Sequence, residues 1–182
     1  MGTIFVDKLD PQSGTSLEIG SSGDTITIPS GCTITNNGTQ SGFGGVNTPF
    51  FHAYVNSAQS IGTNTDVKIT NFNEVVDTAS AFASDKFTVP SGQGGKYIIY
   101  GCVSFASDVT YPHAELYVNG SGSLNSENLV GNMGDTARSC FTSRMLTLSA
   151  SDYVELYTFQ GSGATNTQSS GRTFFGGYKL IE

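Results

Sequence analysis

Few side chains in this sequence have the type and spacing that chemistry requires. His52 and His113 are its only histidines, and each stands alone in a different alternating apolar stretch. A lone histidine in a strand is more often packed or solvated than a general base or a metal ligand. No serine stands in a G-x-S-x-G turn, and acid pairs such as Glu74 with Asp77 resemble solvated turn residues rather than a glycosidase couple. The sequence therefore predicts no catalytic residue and no enzyme.

The cysteines and the glycine-rich turns add no cofactor site. Cys32, Cys102 and Cys140 are widely spaced and form no C-x-x-C pair, which predicts neither a disulfide framework nor a zinc site. We interpret Cys102 and Cys140 as small buried apolar strand residues. The stretch 119–126 is rich in Gly and Ser but no lysine follows it, so it predicts no phosphate-binding loop. We expect no metal and no cofactor.

The elements available to position side chains are strands rather than helices. The chain has 182 residues with 23 Gly, 12 Phe and 8 Tyr but only 13% charged residues, a composition that suits strands joined by tight turns. Its net charge of −7, with eight Lys and Arg, does not supply the basic stripe of a nucleic-acid-binding protein. No signal peptide is recognised, and no stretch approaches the ~20 apolar residues of a membrane span. We expect no nucleic-acid partner and no membrane span.

Residues 1–47 are broken by glycines at short intervals. Ile19, Ile26, Ile28 and Ile34 lie in short alternating stretches roughly eight residues apart, too few to bury a core within one chain. We expect a β-rich oligomeric stalk in which several copies contribute these isoleucines to a shared axis. A flexible Gly/Ser/Thr linker is the alternative.

Residues 48–182 have longer alternating stretches that contain aromatic residues. Such stretches, spaced about 10 to 15 residues apart with no helical pattern between them, predict an all-β antiparallel sandwich of the jelly-roll type. The clearest are 49–55, 66–72, 86–90, 96–105, 113–120, 143–150, 153–161 and 172–182. We expect one head domain over 48–182.

The order of short motifs in this head carries a resemblance to a known family. The matching residues are Phe51-His52-Ala53, Phe72-Asn73, Phe87 with Pro90 and Tyr97, Leu116 with Asn119 and Gly120, Ser143 with Leu146, Leu148, Asp152, Val154 and Leu156, and Phe174 with Tyr178 and Leu180. In this order they resemble the globular head of the complement C-one-q family, whose jelly roll is shared with tumour necrosis factor. The resemblance implies a trimeric head. The family's collagen stalk and calcium-binding loops have no counterpart here.

Two further segments are similar to virion proteins of marine bacteriophages, including those that infect cyanobacteria. They are 9–38, LDPQSGTSLEIGSSGDTITIPSGCTITNNG, and 59–73, QSIGTNTDVKITNFN. In such proteins a short glycine-punctuated β stalk carries a trimeric head. The resemblance implies that the chain is made in the cytoplasm of a bacterial host and localises to the virion.

The closing stretch 172–182 is apolar on both faces. Alternation turns Phe175 one way and Phe174, Tyr178 and Leu180 the other, so the strand needs two apolar environments. We expect one face in the core and the other at a subunit interface near a three-fold axis, and we assign Phe174, Phe175, Tyr178 and Leu180 to that trimer interface. The alternative is that both faces lie inside a thick monomeric sandwich.

These patterns together predict a structural protein of a phage virion. The favoured function is a homotrimeric capsid decoration or cement protein. The alternative is a short tail-fibre adhesin whose head binds a host-surface glycan or protein receptor. The apolar residues Ile4, Phe5 and Val6 are predicted to anchor the chain to the major capsid protein or to a tail protein. A non-viral secreted lectin is a third candidate.

Overall fold

The structure is a computed structural model of the full chain. It describes residues 9–11, 13–35, 37, 47–122, 129–132, 138–163, 165–167 and 171–180. The predicted anchor residues Ile4, Phe5 and Val6 lie outside the described residues. Backbone contacts divide the chain into two units, Met1–Ser41 and Gly42–Glu182. The larger unit is called the head and the smaller one the leader.

The head is built from antiparallel strands. They are β1 Phe50–Val55, β2 Ser60–Ile61, β3 Val67–Lys68, β4 Phe72–Asp77, β5 Phe82–Ala83, β6 Lys86–Thr88, β7 Gly95–Phe105, β8 His113–Val118, β9 Ser121–Gly122, β10 Leu129–Asn132, β11 Arg138–Leu148, β12 Tyr153–Phe159, β13 Thr165–Asn166 and β14 Phe174–Lys179. No helix in the described ranges could cross a membrane.

The strands form two facing sheets. The first sheet has the order β10-β11-β7-β14-β1-β4, and the second has the order β5-β6-β12-β8-β9 with β3 also paired to β12. Strands β2 and β13 make a small ladder of their own. The closing strand β14 therefore lies inside the first sheet, between β7 and β1. The prediction of an all-β jelly roll is confirmed.

The core between the sheets is aromatic. The ring of Phe51 stacks on Phe87 at 4.7 Å and on Phe82 at 5.2 Å between centroids, and it meets Phe175 edge-on at 5.0 Å. Such ring pairs stabilise a core beyond the area they bury. Gly101 keeps β7 close to the second sheet, because a Cβ there would lie 2.6 Å from a methyl group of Leu156. These contacts fix the spacing of the sheets and hence the position of β14.

One predicted strand, 66–72, is divided in the structure. Val67–Lys68 pairs with β12 in the second sheet, whereas β4 begins at Phe72 and pairs with β1 in the first. Asn71 between them has φ 63°, a left-handed conformation that asparagine tolerates better than most residues. The Phe72 N–H then donates to Asp85 Oδ1 at 3.0 Å. The chain changes sheets at this turn, which an alternating pattern cannot show.

The leader has no strand in its described part. Its regular features are two turns, closed by Asp24 N–H to the Ser21 carbonyl at 2.9 Å and Cys32 N–H to the Pro29 carbonyl at 3.2 Å. The two turns are eight residues apart, which matches the spacing of the isoleucines. A strand needs a partner for its backbone groups, and a single chain offers none here. In residues 9–11, 13–35 and 37, the isolated chain therefore forms none of the predicted stalk strands.

Candidate self-association interface

The outer face of the first sheet carries three rows of side chains that turn away from the core. Strand register sets the rows, because residues paired across β1, β14, β7 and β11 lie side by side. The rows are Phe50, Tyr178, Ile98 and Met145; His52, Gly176, Tyr100 and Ser143; and Tyr54, Phe174, Cys102 and Phe141. None of these twelve positions, all within the described strands, carries Asp, Glu, Lys or Arg. We call this surface the aromatic face.

The centre of the aromatic face is a cluster of three rings. His52 lies 6.2 Å from Tyr100 and 5.8 Å from Phe174, and Tyr100 lies 6.3 Å from Phe174, between centroids. The Tyr100 hydroxyl and His52 Nδ1 are 3.4 Å apart. These rings cover the middle of the sheet within one chain.

Gly176 makes room for this cluster. A Cβ at Gly176 would lie 2.5 Å from the Tyr100 hydroxyl and 2.6 Å from its ring carbon Cζ. The ring of Tyr100 therefore lies directly over the backbone of β14, a close approach that a glycine allows. Gly177 faces the core on the other side of β14. A Cβ at Gly177 would lie 2.5 Å from Ile99 Cδ1 and 2.9 Å from the Ile98 carbonyl oxygen.

Burial within the single chain already perturbs the polar groups of the aromatic face. It lowers the pKa of His52 from its ordinary 6.5, because a partly desolvated imidazole resists protonation. Burial, followed by the nearby Tyr178, raises the pKa of Tyr100. Burial also raises the pKa of the Cys102 thiol, against a hydrogen bond with Ser104 that lowers it. At neutral pH these shifts favour the uncharged forms, which suit a dry contact.

The edges of the aromatic face remain exposed in the single chain. Met145 is 65% exposed, Phe50 37% and Phe141 36%. Beside Phe50 lies a groove of about 380 Å³. Its lining includes Phe50, His52, Val76, Tyr100 and Tyr178, with no charged residue. An antiparallel sheet that faces water normally presents polar side chains there.

The residues predicted for the interface divide between the two faces of β14. Phe174 and Tyr178 lie on the aromatic face and are only partly buried, and Leu180 is half-buried just beyond the strand. The prediction for Phe175 was wrong: its ring is fully buried against Phe51 and offers no surface to another subunit. Because Phe174 and Tyr178 stay partly open to solvent, the alternative of a thick monomeric sandwich also fails.

Sequence reasoning missed much of the aromatic face. Phe50, Tyr54, Ile98, Tyr100 and Met145 belong to it but were not proposed. The alternation of exposed and buried residues in β1 and β7 contains the signal, since every second residue turns outward. What the sequence did not reveal was which strands are neighbours.

The cysteines occupy three different environments. Cys140 is buried and its pKa is raised by burial to about 12, which confirms its interpretation as a small apolar strand residue. The predicted burial of Cys102 was wrong, because it lies half-buried on the outward-facing aromatic face. Cys32 is exposed in the leader. All three thiols are free.

The stalk isoleucines are exposed rather than packed. Ile19 and Ile26 are each 59% exposed, Ile34 57% and Ile28 50%. The isolated leader therefore has no apolar interior of its own in its described part.

Comparison with known proteins supports the fold. No protein-family model matches the chain, and no curated protein matches it. Among solved structures, murine APRIL at pH 5.0 is similar with a TM-score of 0.52 and 19% identity, covering 72% of this chain and 98% of that one. The Eiger TNF from S. frugiperda is similar with a TM-score of 0.51 and 17% identity, covering 72% and 91%. The head has the jelly-roll fold of tumour necrosis factor.

A further solved structure is the globular domain of the zebrafish complement 1qA protein, with a TM-score of 0.49 and 14% identity over 73% of this chain. At the identities of APRIL and Eiger, the likeness shows the fold of the head alone. Function has to be argued from the surfaces of this chain.

Proposed function

We propose that the chain is a homotrimeric structural protein of a bacteriophage virion, with its jelly-roll head displayed on the particle. The observation that carries the trimer is the aromatic face: three rows of outward side chains without a Lys, Arg, Asp or Glu among them. Large exposed apolar patches are uncommon on monomers and mark interaction sites. In a closed ring of three copies, the aromatic face of each copy packs against the neighbouring copy and is removed from water.

The leader supports the same assembly. The four isoleucines in its described part are at least half exposed in one chain, and its two turns repeat at the spacing of those isoleucines. Three copies around one axis give each isoleucine an apolar neighbour and give each backbone a partner for hydrogen bonds. Burial of a side chain of this size stabilises by about 1.5–3 kcal/mol. The leader thus orders as a stalk only in the assembled state.

The virion location rests on the sequence resemblance of residues 9–38 and 59–73 to marine phage virion proteins. Within the particle we favour a capsid decoration or cement protein. Ile4, Phe5 and Val6 are the proposed contact with the major capsid protein or a tail protein. Synthesis takes place in the bacterial cytoplasm.

A short tail-fibre adhesin is the second candidate. In the described part, polar and small residues form the turn after β8, where Asn119 and Gly120 both have positive φ. Rigid scaffolds with variable polar loops are a common arrangement for recognition. The bound molecule in this case is a glycan or protein of the host surface.

The mass of the purified chain in solution tests the trimer. Light scattering should give about three times the 19.1 kDa of one chain. A monomer that persists at high protein concentration would contradict the role of the aromatic face.

Particle composition tests the location. Hundreds of copies in each virion indicate a shell component, whereas a few tens or fewer indicate a tail fibre. Absence from purified particles contradicts both virion roles. Deletion of residues 2–12 should leave a folded trimer that no longer joins the particle, and retained attachment would refute the anchor.

A further inference from the structure

A mixed cluster of metal-ligand side chains lies on the second sheet, away from the aromatic face. One ligand atom each from Asp66, His113 and Glu115 lies within 4.8 Å of the other two. His113 Nε2 is 3.8 Å from Asp66 Oδ1. His113 and Glu115 are two residues apart on β8 and so share a face. Asp66 immediately precedes β3, which pairs with β12 on the side opposite β8.

The surrounding residues hold the imidazole in place. The ring of His113 stacks on Phe159 with 4.8 Å between centroids and 9° between planes. The backbone carbonyl of His113 accepts a 2.7 Å hydrogen bond from Thr158 Oγ1. Both contacts come from β12, so they fix His113 against the neighbouring strand.

The two carboxylates of the cluster face each other without a lysine between them. Lys68, two residues from Asp66, instead contacts Glu155 Oε1 at 2.7 Å and the Ser84 carbonyl at 3.0 Å. One carboxylate oxygen of Asp66 and one of Glu115 lie within 4.8 Å of each other, so their negative charges repel. A dication between the two carboxylates would relieve this repulsion.

We propose that Asp66, His113 and Glu115 form a binding site for a divalent first-row transition metal ion of the Zn²⁺ type. One imidazole nitrogen with two carboxylate oxygens is a donor set that suits such ions, whereas Ca²⁺ and Mg²⁺ prefer oxygen alone. Ligands at about 2.0–2.2 Å from a metal lie closer together than the 4.8 Å limit of the cluster. The side chain of Asp66 is 45% exposed and can rotate to close the site.

The ion would link two strands that are not neighbours. It joins the start of β3 to β8 across β12 and so ties the second sheet together at this point. Three protein ligands leave at least one coordination position open to water or to an oxygen of a partner. The spacing of residues along the chain does not indicate this metal site, because Asp66 and His113 are far apart in the sequence and neither belongs to a metal-binding motif.

Calorimetric titration of the full chain with Zn²⁺ tests the proposal. We expect one ion for each chain, and Asp66→Asn and Glu115→Gln should each weaken binding by at least about tenfold, the factor that even an outer-shell partner of a metal ligand carries. His52→Gln and Cys32→Ser are the controls and should bind as the unaltered chain does. Ions that bind the folded chain should also raise its melting temperature.

Imidazole NMR signals give a second measurement that does not depend on substitutions. The chain has two histidines, so Zn²⁺ should shift the ring signals of His113 and leave those of His52 in place. The proposal is overturned if millimolar Zn²⁺ does not bind, if both carboxylate variants bind with unchanged affinity, or if Cys32→Ser abolishes binding.

Discussion

At the scale of single residues, the aromatic face depends on side chains that combine an apolar body with a polar end. Tyr178 pairs in register with Phe50 and Ile98, so it is surrounded by apolar side chains on both neighbouring strands. His52 and Tyr100 place their polar atoms against each other. Such residues tolerate partial exposure in a monomer and complete burial in an assembly.

Tyr178→Asp should prevent self-association. It places a carboxylate without a cationic partner in a contact that excludes water, which costs several kcal/mol. Light scattering should report monomers, while circular dichroism should still report strands. Tyr111→Asp is the control, because Tyr111 is 83% exposed. A normal trimer of the Tyr178 variant would place the interface elsewhere.

Protonation of His52 should destabilise the protein. Because burial lowers its folded pKa below 6.5, the unfolded chain binds more protons in the window beneath that value. The free energy of unfolding should therefore be level above about pH 6.5 and should fall as the pH falls through this window. Denaturant titrations at a series of pH values measure the slope. His52→Gln should flatten it, and an unchanged slope would assign it to other groups.

At the scale of elements, β14 serves the core with one face and the assembly with the other. Phe175 and Gly177 face the core, whereas Phe174 and Gly176 belong to the aromatic face. Because β14 lies between β7 and β1, its inner face contributes to the core and its outer face contributes to the centre of the aromatic face.

Substitution of the paired glycines should separate these two roles. Gly177→Ala meets the Ile98 carbonyl, which is backbone and cannot move aside, so the head should lose about 1–3 kcal/mol of unfolding free energy. Gly176→Ala meets the side chain of Tyr100, which can rotate, so it should weaken the trimer more than the fold. Gly62→Ala is the control, since no atom lies within 4 Å of its Cβ position. Equal effects of all three substitutions would contradict this division.

Replacement of two leader isoleucines should reveal whether the leader assembles. Ile26→Ser with Ile28→Ser removes side chains that are exposed in one chain, so a free linker would not register the change. In a three-fold stalk the loss is about 1.5–3 kcal/mol for each side chain in each subunit. Thermal unfolding of the leader signal in the full trimer measures it. An unchanged profile would favour the flexible linker.

At the scale of the whole molecule, the head has an apolar core, whereas the described part of the leader has none. The buried apolar residues of the described part extend from Phe51 to Phe175, all within the head. The large apolar residues in the described part of the leader are exposed.

The two units should therefore behave differently when separated. A fragment of residues 48–182 should fold, resist proteolysis and self-associate through the aromatic face. A peptide of residues 1–47 should show no cooperative unfolding, because it cannot bury its isoleucines alone. Circular dichroism and limited proteolysis of both fragments measure this. A head fragment that fails to fold would make the leader part of the folding unit.

The local properties of the strands follow from the order of residues along the chain. Alternation at a period of two located most of the long strands and showed that 172–182 needs two apolar environments, because successive side chains in a strand turn to opposite faces. It missed β4 and the change of sheet at Asn71, where one left-handed residue redirects the chain.

Which side chains are in contact depends on the three-dimensional fold. In the folded chain, Phe175 lies in the core, and the three rows of the aromatic face come from β1, β14, β7 and β11. Asp66 lies close to His113 although β12 separates their strands. The physical reason is that strand order is set by long-range pairing. Residues far apart along the chain become neighbours through backbone hydrogen bonds between strands. These hydrogen bonds are the same for every pair of strands, so the side-chain sequence does not show which strands will pair.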